Sequence, residues 1–226
     1  MDTKVVLDFL RNQQPFEFNG GNHYSNLVAG IKTCRDATKR DSNTGKVPDG
    51  ITEGGPENWL GAIGYFSILD LIGSTFKKKS DRAFAPNSIE YAVNTFALDL
   101  IDFDSQKASA LYALRCAFAH DFNLLNVNEK KLHLQHKFNV YAEPTQNIVT
   151  MPKEPWDGKI ASKSFKDLSN VTFVNLWAFG DMVEEIFVRV IDGISDGTLE
   201  IQMDTPTLIN KYTFMMFQSQ ALFDVN

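Results

Sequence analysis

Segment 57–76 is almost entirely apolar, and it limits the fold more than any other part of the chain. Its apolar side chains point in nearly every direction around a helix: Trp59, Leu60, Ile63, Phe66, Ile68, Leu69, Leu71 and Ile72. Such a helix must be buried on nearly all sides, and Pro56 with Glu57 supplies a helix-start signal. The sequence therefore predicts a buried helix over 57–76, and the charge inside the apolar run, Asp70, needs a partner.

Three more helices are predicted after this segment. The first begins at Asn87 or Ser88, the second covers 105–120, and the last covers 169–194. Short connections between consecutive helices are typical of antiparallel neighbours. The predicted fold class is therefore mainly α, a four-helix up-down bundle.

A small β-structure is predicted between the third and fourth long helices. Apolar and polar residues alternate in short runs after His120, which is typical of strands. The residues VNEKK at 127–131 supply a turn, Pro144 ends the second run, and 147–150 is a candidate third strand. The sequence therefore predicts a β-hairpin insertion at about 121–150.

The chain divides into three predicted segments. Residues 1–56 comprise a short N-terminal helix and a long, polar, glycine-rich loop region that packs on the bundle. Residues 57–200 form the bundle with its insertion, and residues 201–226 form a C-terminal tail with a short helix. A loop of such length is either functional or loosely ordered, and both interpretations stay open.

Composition and charge exclude several classes of protein. The 226 residues carry a net charge of −6, which argues against a general nucleic-acid coat protein but leaves room for a local basic patch. Eighteen Phe residues predict an aromatic core or a surface that a partner covers. Two cysteines do not make a disulfide framework. Without an apolar run of bilayer length or a secretory signal, we expect no membrane association and a cytoplasmic location.

Motifs for common cofactors and metals do not occur in the sequence. It contains no phosphate-binding loop, dinucleotide fingerprint, zinc-protease motif or nucleophile elbow. His133 and His136 are three positions apart, and on a strand they would point to opposite faces. The scattered histidines and cysteines do not describe a zinc site, so the sequence predicts neither a metal nor a cofactor.

The segment LYALRCAFAHDF, residues 111–122, carries Arg115 and His120 in otherwise apolar surroundings. On an uninterrupted helix five residues advance about 500°, which leaves the two side chains about 140° apart. A frayed or 3₁₀ last turn would bring His120 round. Two interpretations stay open: either Arg115 pairs with Asp70 while His120 caps the helix, or Arg115 and His120 form a functional site.

This Arg-x4-His segment, at the end of the third predicted helix, resembles the motif of the HEPN superfamily of small helical-bundle proteins. The resemblance covers about a dozen residues as a motif and 57–195 as an architecture. It implies a metal-independent ribonuclease that works as a homodimer, with the Arg115 and His120 pairs of two subunits facing each other. His120 would then act as general acid or base, and Arg115 would hold the scissile phosphate.

The resemblance also assigns supporting residues. Asp70 would orient Arg115, and Asp121 follows His120 where such proteins often carry Asp, Glu or Gln. Cys116 stands where the family often has Asn, Asp or His, which is a departure from its pattern. The implied function is cleavage of RNA in defence or stress response, with an antitoxin or another protein as partner. The alternative is a non-catalytic helical-bundle module for binding or dimerisation.

Overall fold

The computed structural model describes residues 2–11, 16–52, 58–81, 87–97, 99, 103–161 and 163–214. Within them the chain forms seven α-helices: α1 (Thr3–Arg11), α2 (Asn26–Ala37), α3 (Asn58–Thr75), α4 (Ser88–Phe96), α5 (Ser105–Cys116), α6 (Leu176–Ser195) and α7 (Thr205–Tyr212). Tighter or wider turns also occur: a π-helical turn at Ala117–Asp121 and 3₁₀ turns at Leu132–Leu134, Lys163–Lys166 and Leu168–Asn170. In these ranges, no helix combines the length and the apolar character needed to cross a lipid bilayer.

Nine short strands occur in the same part of the chain: β1 (Phe16–Phe18), β2 (Gly21–Ser25), β3 (Phe76–Lys78), β4 (Leu125–Asn126), β5 (His136–Tyr141), β6 (Val149–Thr150), β7 (Val171–Asn175), β8 (Leu199–Ile201) and β9 (Thr213–Phe214). They form three sheets, in the orders β1-β2-β9, β3-β8 and β4-β5-β7-β6. Strands β5 and β7 are parallel, and every other pair is antiparallel. The helices and the third sheet share one hydrophobic core.

The prediction of a mainly α, four-helix up-down bundle with a β-hairpin insertion is wrong. The described residues form an α/β fold in which three small sheets accompany seven helices. Two of the sheets join strands that are far apart in sequence, β2 with β9 and β3 with β8. The strands of these two sheets have two to five residues, which is too few alternations for periodicity to reveal them.

Strand β7 explains why the predicted hairpin is incomplete. Strands β4 and β5 do pair antiparallel, with Leu125 opposite Lys137. However, β5 also pairs parallel with β7, and the candidate third strand pairs with β7 rather than with β5. The sequence analysis assigned 171–175 to the start of the last helix, because a short buried strand and a buried helix segment show the same run of apolar residues.

The N-terminal region contains more regular structure than predicted. Helices α1 and α7 confirm the short helices expected near the two ends of the chain. The loop expected over 12–56 is wrong where α2, β1 and β2 lie, and 12–15 and 53–56 lie outside the described residues. The division into segments at 56 and 200 stays a prediction.

Helix α3 confirms the helix expected over 57–76, although one face, with Leu60, Ser67 and Ser74, is exposed rather than buried. A glycine sets the distance of α3 from α4. A Cβ atom on Gly73 would lie 1.8 Å from the carbonyl oxygen of Ser88. Ser88 is the first residue of α4, whose N-cap is Asn87. Only a residue without a Cβ atom allows the start of α4 to lie this close to α3.

An ionic network around the buried Arg40 joins α2 and the turn after it to α3 and α6. The guanidinium of Arg40 donates to Asp181, to the hydroxyl of Tyr65 and to Glu184 Oε1, the last at 2.8 Å. Tyr65 in turn donates to Glu184 Oε1 at 2.6 Å, and Arg35 Nε donates to Glu184 Oε2 at 3.0 Å. Burial raises the pKa of Tyr65, so its hydroxyl stays protonated as the donor to Glu184.

His136 lies buried in the third sheet, where its ring nitrogens face two oxygens. Nδ1 is 2.8 Å from Thr172 Oγ1, and Nε2 is 3.1 Å from the carbonyl oxygen of His133. The ring stacks on Phe138, with 5.3 Å between centroids. Burial lowers the pKa of His136 from its ordinary value of 6.5, because desolvation disfavours the charged imidazolium.

The close approach at Gly73 leads to a first prediction. Gly73→Ala should lower the free energy of unfolding by about 2 kcal/mol or more, because the new methyl group overlaps backbone atoms that cannot move independently. Gly30→Ala, in α2, is the matched control: its Cβ would meet Ile68 at an ordinary 3.6 Å. This control should be neutral or stabilise the protein by up to about 1 kcal/mol. Urea unfolding measures both, and equal effects of the two variants would contradict the close approach.

The burial of His136 leads to a second prediction, on acid stability. The unfolded chain binds a proton at His136 near pH 6.5, whereas the folded chain binds it only at lower pH. This contribution to stability is therefore complete above about pH 6.5 and is lost as the pH falls below that value. His136→Gln should show a smaller loss of unfolding free energy between about pH 7.5 and about pH 5.5. An unchanged pH dependence in the variant would contradict this assignment.

Candidate functional site

Arg115 and Asp70 form an ion pair between α5 and α3. Arg115 Nη2 donates to Asp70 Oδ2 at 3.1 Å, and the hydroxyl of Ser88 donates to Asp70 Oδ1. The Arg115 and Asp70 side chains remain 30% and 40% exposed. The pair expected from the sequence is therefore present, but it is half-exposed rather than buried.

Helix α5 changes its geometry immediately after Arg115. The π-helical turn Ala117–Asp121 ends at Phe122, which adopts the left-handed conformation with φ of 49°. An i→i+5 turn holds more residues than an α turn, so it rotates His120 back from its α-helical direction. The sequence analysis considered a frayed or 3₁₀ turn for this effect. Turns of the π type are frequent at functional sites.

Three aromatic rings hold this turn against α3. The ring of Trp59 lies 4.9 Å from Phe118 and 5.8 Å from Phe122, measured between centroids. Phe118 is buried and also meets Phe66 edge-on at 6.2 Å. The two phenylalanines therefore anchor the turn on one side, and His120 is exposed on the outside.

Arg115 and His120 do not meet within one chain. A pocket of about 70 Å³ between α3 and the end of α5 is lined by Arg115, Asp70 and Ala119 among others, but not by His120. Within the described ranges, His120 makes no hydrogen bond or ion pair. A pocket of this size holds a few water molecules, so a larger ligand would contact Arg115 from the rim.

The other predicted residues lie beside this pair. Cys116 is half-buried and lies one helical turn after Tyr112. Burial first, and then the nearby thiol, raise the pKa of Tyr112, so its hydroxyl stays protonated. The backbone of Asp121 closes the π-helical turn, and its side chain lies outside the described part of the structure.

The sequence analysis missed Ser88 and Tyr112 as neighbours of the candidate site. Two signals could have revealed Ser88. The first is Gly73, which lies one turn after Asp70 and allows a close neighbour. Asn87 caps α4 by accepting from the backbone of Ile89 and Glu90, which leaves the Ser88 hydroxyl available to Asp70. Tyr112 carries no such signal, because a tyrosine in an apolar helix is most simply a core residue.

Comparisons with known proteins add no constraint on the site. A search of protein-family models, of curated proteins and of solved structures found no match to this chain. Among the residues that the structure describes, no group of three or more His, Cys, Asp or Glu side chains is placed to hold a metal ion. Arguments about function therefore rest on the geometry of the residues themselves.

The half-exposed ion pair leads to a third prediction. Asp70→Asn should change the unfolding free energy by less than about 1 kcal/mol, because partly exposed ion pairs contribute little to stability. It should nevertheless free the Arg115 guanidinium, which NMR would detect as faster hydrogen exchange at Nη2, the nitrogen that donates to Asp70. Ser88→Ala is the control, because it removes the other partner of the same carboxylate and leaves Arg115 paired. A loss of several kcal/mol in Asp70→Asn would instead assign the pair a purely structural role.

Proposed function

We propose that this protein cleaves RNA without a metal ion, using Arg115 and His120 from two copies of the chain. The observation that carries the proposal is the π-helical turn, which leaves His120 exposed five residues after a partly exposed Arg115. The resemblance of the Arg-x4-His segment to the HEPN motif supports the same chemistry. That resemblance also suggests a role in defence or stress response, and the cytoplasmic location expected from the sequence stays a prediction.

His120 supplies the proton transfers in the proposed reaction. The neutral imidazole takes the proton of a ribose 2′-hydroxyl, whose oxygen attacks the adjacent phosphorus. The bond to the 5′-oxygen breaks, and an imidazolium protonates this leaving oxygen. The products are a 2′,3′-cyclic phosphate and a 5′-hydroxyl. Histidine suits both roles because its charge ordinarily changes near neutral pH, and positioned acid–base catalysis contributes about 10²–10⁴ in rate.

Arg115 binds the phosphate that reacts. A guanidinium has five N–H donors, and within the described ranges the ion pair with Asp70 engages one nitrogen, Nη2. The remaining donors can bind two phosphate oxygens and stabilise the charge that develops on them. Asp70 acts as a positioning residue, since its carboxylate is itself held by Ser88.

A second copy of the chain supplies the other half of the site. Arg115 lines a pocket that His120 does not reach, so within one chain the two groups do not converge. Beside the turn, Leu60 and Phe122 are 63% and 61% exposed, and large exposed apolar side chains are typical of contact surfaces. We propose that this patch packs against its copy and turns one His120 toward the partner subunit.

Cleavage of a mixed RNA substrate in EDTA tests the function. We expect wild-type protein to leave 2′,3′-cyclic phosphate ends and to sediment as a dimer. His120→Asn should lower the rate by about 10²–10⁴, and Arg115→Lys should lower it by about 10²–10³, because lysine does not bind phosphate in a bidentate manner.

The control is Arg189→Lys, a helical arginine paired with Asp99 and Glu185 away from the site. It should keep the wild-type rate after the same purification. Cleavage that persists unchanged in His120→Asn would remove this residue from the mechanism and would indicate a contaminating nuclease.

The second candidate function is a non-catalytic module for binding or dimerisation. The exposed Leu60 and Phe122 favour it, as does the engagement of Arg115 by Asp70. Its partner would be a second copy or another protein, such as an antitoxin. Absence of cleavage by wild-type protein, together with dimerisation that Phe122→Ser abolishes, would favour this candidate.

A further inference from the structure

A second cavity lies at the opposite end of α5 from Arg115. It has a volume of about 610 Å³ and lies between the first turns of α5, the 3₁₀ turn Leu132–Leu134 and the connection 151–156. Ser105 and Ser109 of α5 form one wall. The cavity is of the size that small ligands occupy in proteins, and it shares no lining residue with the pocket at Arg115.

Among the residues that the structure describes, none of those lining this cavity is an Asp, Glu, Lys or Arg. Two other cavities of comparable size differ in this respect. One is lined by Arg35 and Glu184 among others, and the other by Arg189 and Asp196 among others. Because charged ligand groups need charged or strongly donating partners when they leave water, the cavity suits an uncharged ligand.

The walls combine flat apolar surfaces with neutral polar groups. Trp156 is buried, and Leu132, Met151 and two prolines line the cavity beside it. Gln135 is fixed there, because its Nε2 donates to the carbonyl oxygen of Trp156 at 3.1 Å. A Cβ atom on Gly158 would lie 2.6 Å from the Gln135 amide, so the amide is held closely from its other side. The site is therefore preformed rather than assembled from mobile side chains.

Two buried groups of the wall indicate which hydrogen-bonding group the ligand must provide. The ring of His136 is fixed by Thr172 and by the backbone of His133, and its burial keeps it neutral. The buried indole N–H of Trp156 has no hydrogen-bond acceptor in the part of the chain that the structure describes. Buried donors are normally paired, so an acceptor on the ligand is the partner that this wall lacks.

We propose that this cavity binds an uncharged heteroaromatic ring of the nucleobase class, either as a free nucleoside or as one base of an RNA strand. Such a ring packs against Leu132, Met151 and the two prolines of the wall, and turns one edge toward the indole N–H of Trp156. Its ring nitrogens and carbonyl oxygens provide acceptors, and its amino groups provide donors for the Gln135 amide and the two serines. The proposal does not depend on cleavage by Arg115 and His120.

Calorimetric titration of the full-length chain with adenosine, guanosine, cytidine and uridine tests the proposal. At least one nucleoside should bind at one site per chain and quench the fluorescence of Trp156, while ribose should not bind. Titration of His120→Asn protein with a short oligoribonucleotide distinguishes binding of a free nucleoside from binding of a base within an RNA strand. Tighter binding of the oligonucleotide than of the nucleoside would indicate a base within a strand.

Leu132→Asp places a charge at the exposed rim of the cavity and should weaken nucleoside binding about tenfold or more. Leu168→Asp is the matched control, because Leu132 and Leu168 are 69% and 73% exposed and Leu168 does not line the cavity. The control should bind as wild type does.

Trp156→Phe should also weaken binding and remove the quenching. The proposal is overturned if no nucleoside shows saturable binding, or if binding is equal in wild type, Leu132→Asp and Trp156→Phe.

Discussion

Helix α3 is the constraint on which the other elements depend, because it packs against α2, α4 and α6 and still carries polar groups. Tyr65 on one side is satisfied by Arg40 and Glu184, which ties α2 and α6 to α3. Asp70 on another side is satisfied by Ser88 and Arg115, which tie α4 and α5 to it. Removing one partner of a buried charged group costs about 3–5 kcal/mol, so the Arg40 network fixes the first set of helices. The Asp70 cluster is more exposed and leaves its arginine available for binding.

The candidate site follows from two departures from regular helical geometry. At Gly73 the absence of a side chain lets α4 approach closely enough for Ser88 to reach the carboxylate that orients Arg115. After Cys116 the wider turn changes the direction of His120 while Phe118 stays in the core. Both features cost intrinsic helix stability. One feature acts on Arg115 through Ser88 and Asp70, and the other changes the direction of His120. Their combination is easier to explain by a functional site than by core packing alone.

Local patterns predicted the described helices except α2, and they failed where distant residues decide. The apolar run of α3 and the capped start of α5 are local signals, and the structure contains both helices. Strand β7 was missed because its pairing with β5 is a contact between remote segments. Arg40 was missed for the same reason: in sequence it lies in a polar loop, and only the fold brings Asp181 and Glu184 to it. The spacing of Arg115 and His120 drew attention to the site, but the π-helical turn has no sequence signal of its own.

The acidic character of the chain limits how it can bind RNA. With a net charge of −6, the protein as a whole repels a polyanion, so long-range attraction does not supply affinity. Under the proposed function, binding would have to come from a few close contacts, such as a guanidinium on one phosphate and an apolar wall against one base. The cavity at the start of the helix that carries Arg115 would supply the second contact, because none of the described residues that line it is an Asp, Glu, Lys or Arg, and it would add affinity where counterion release cannot.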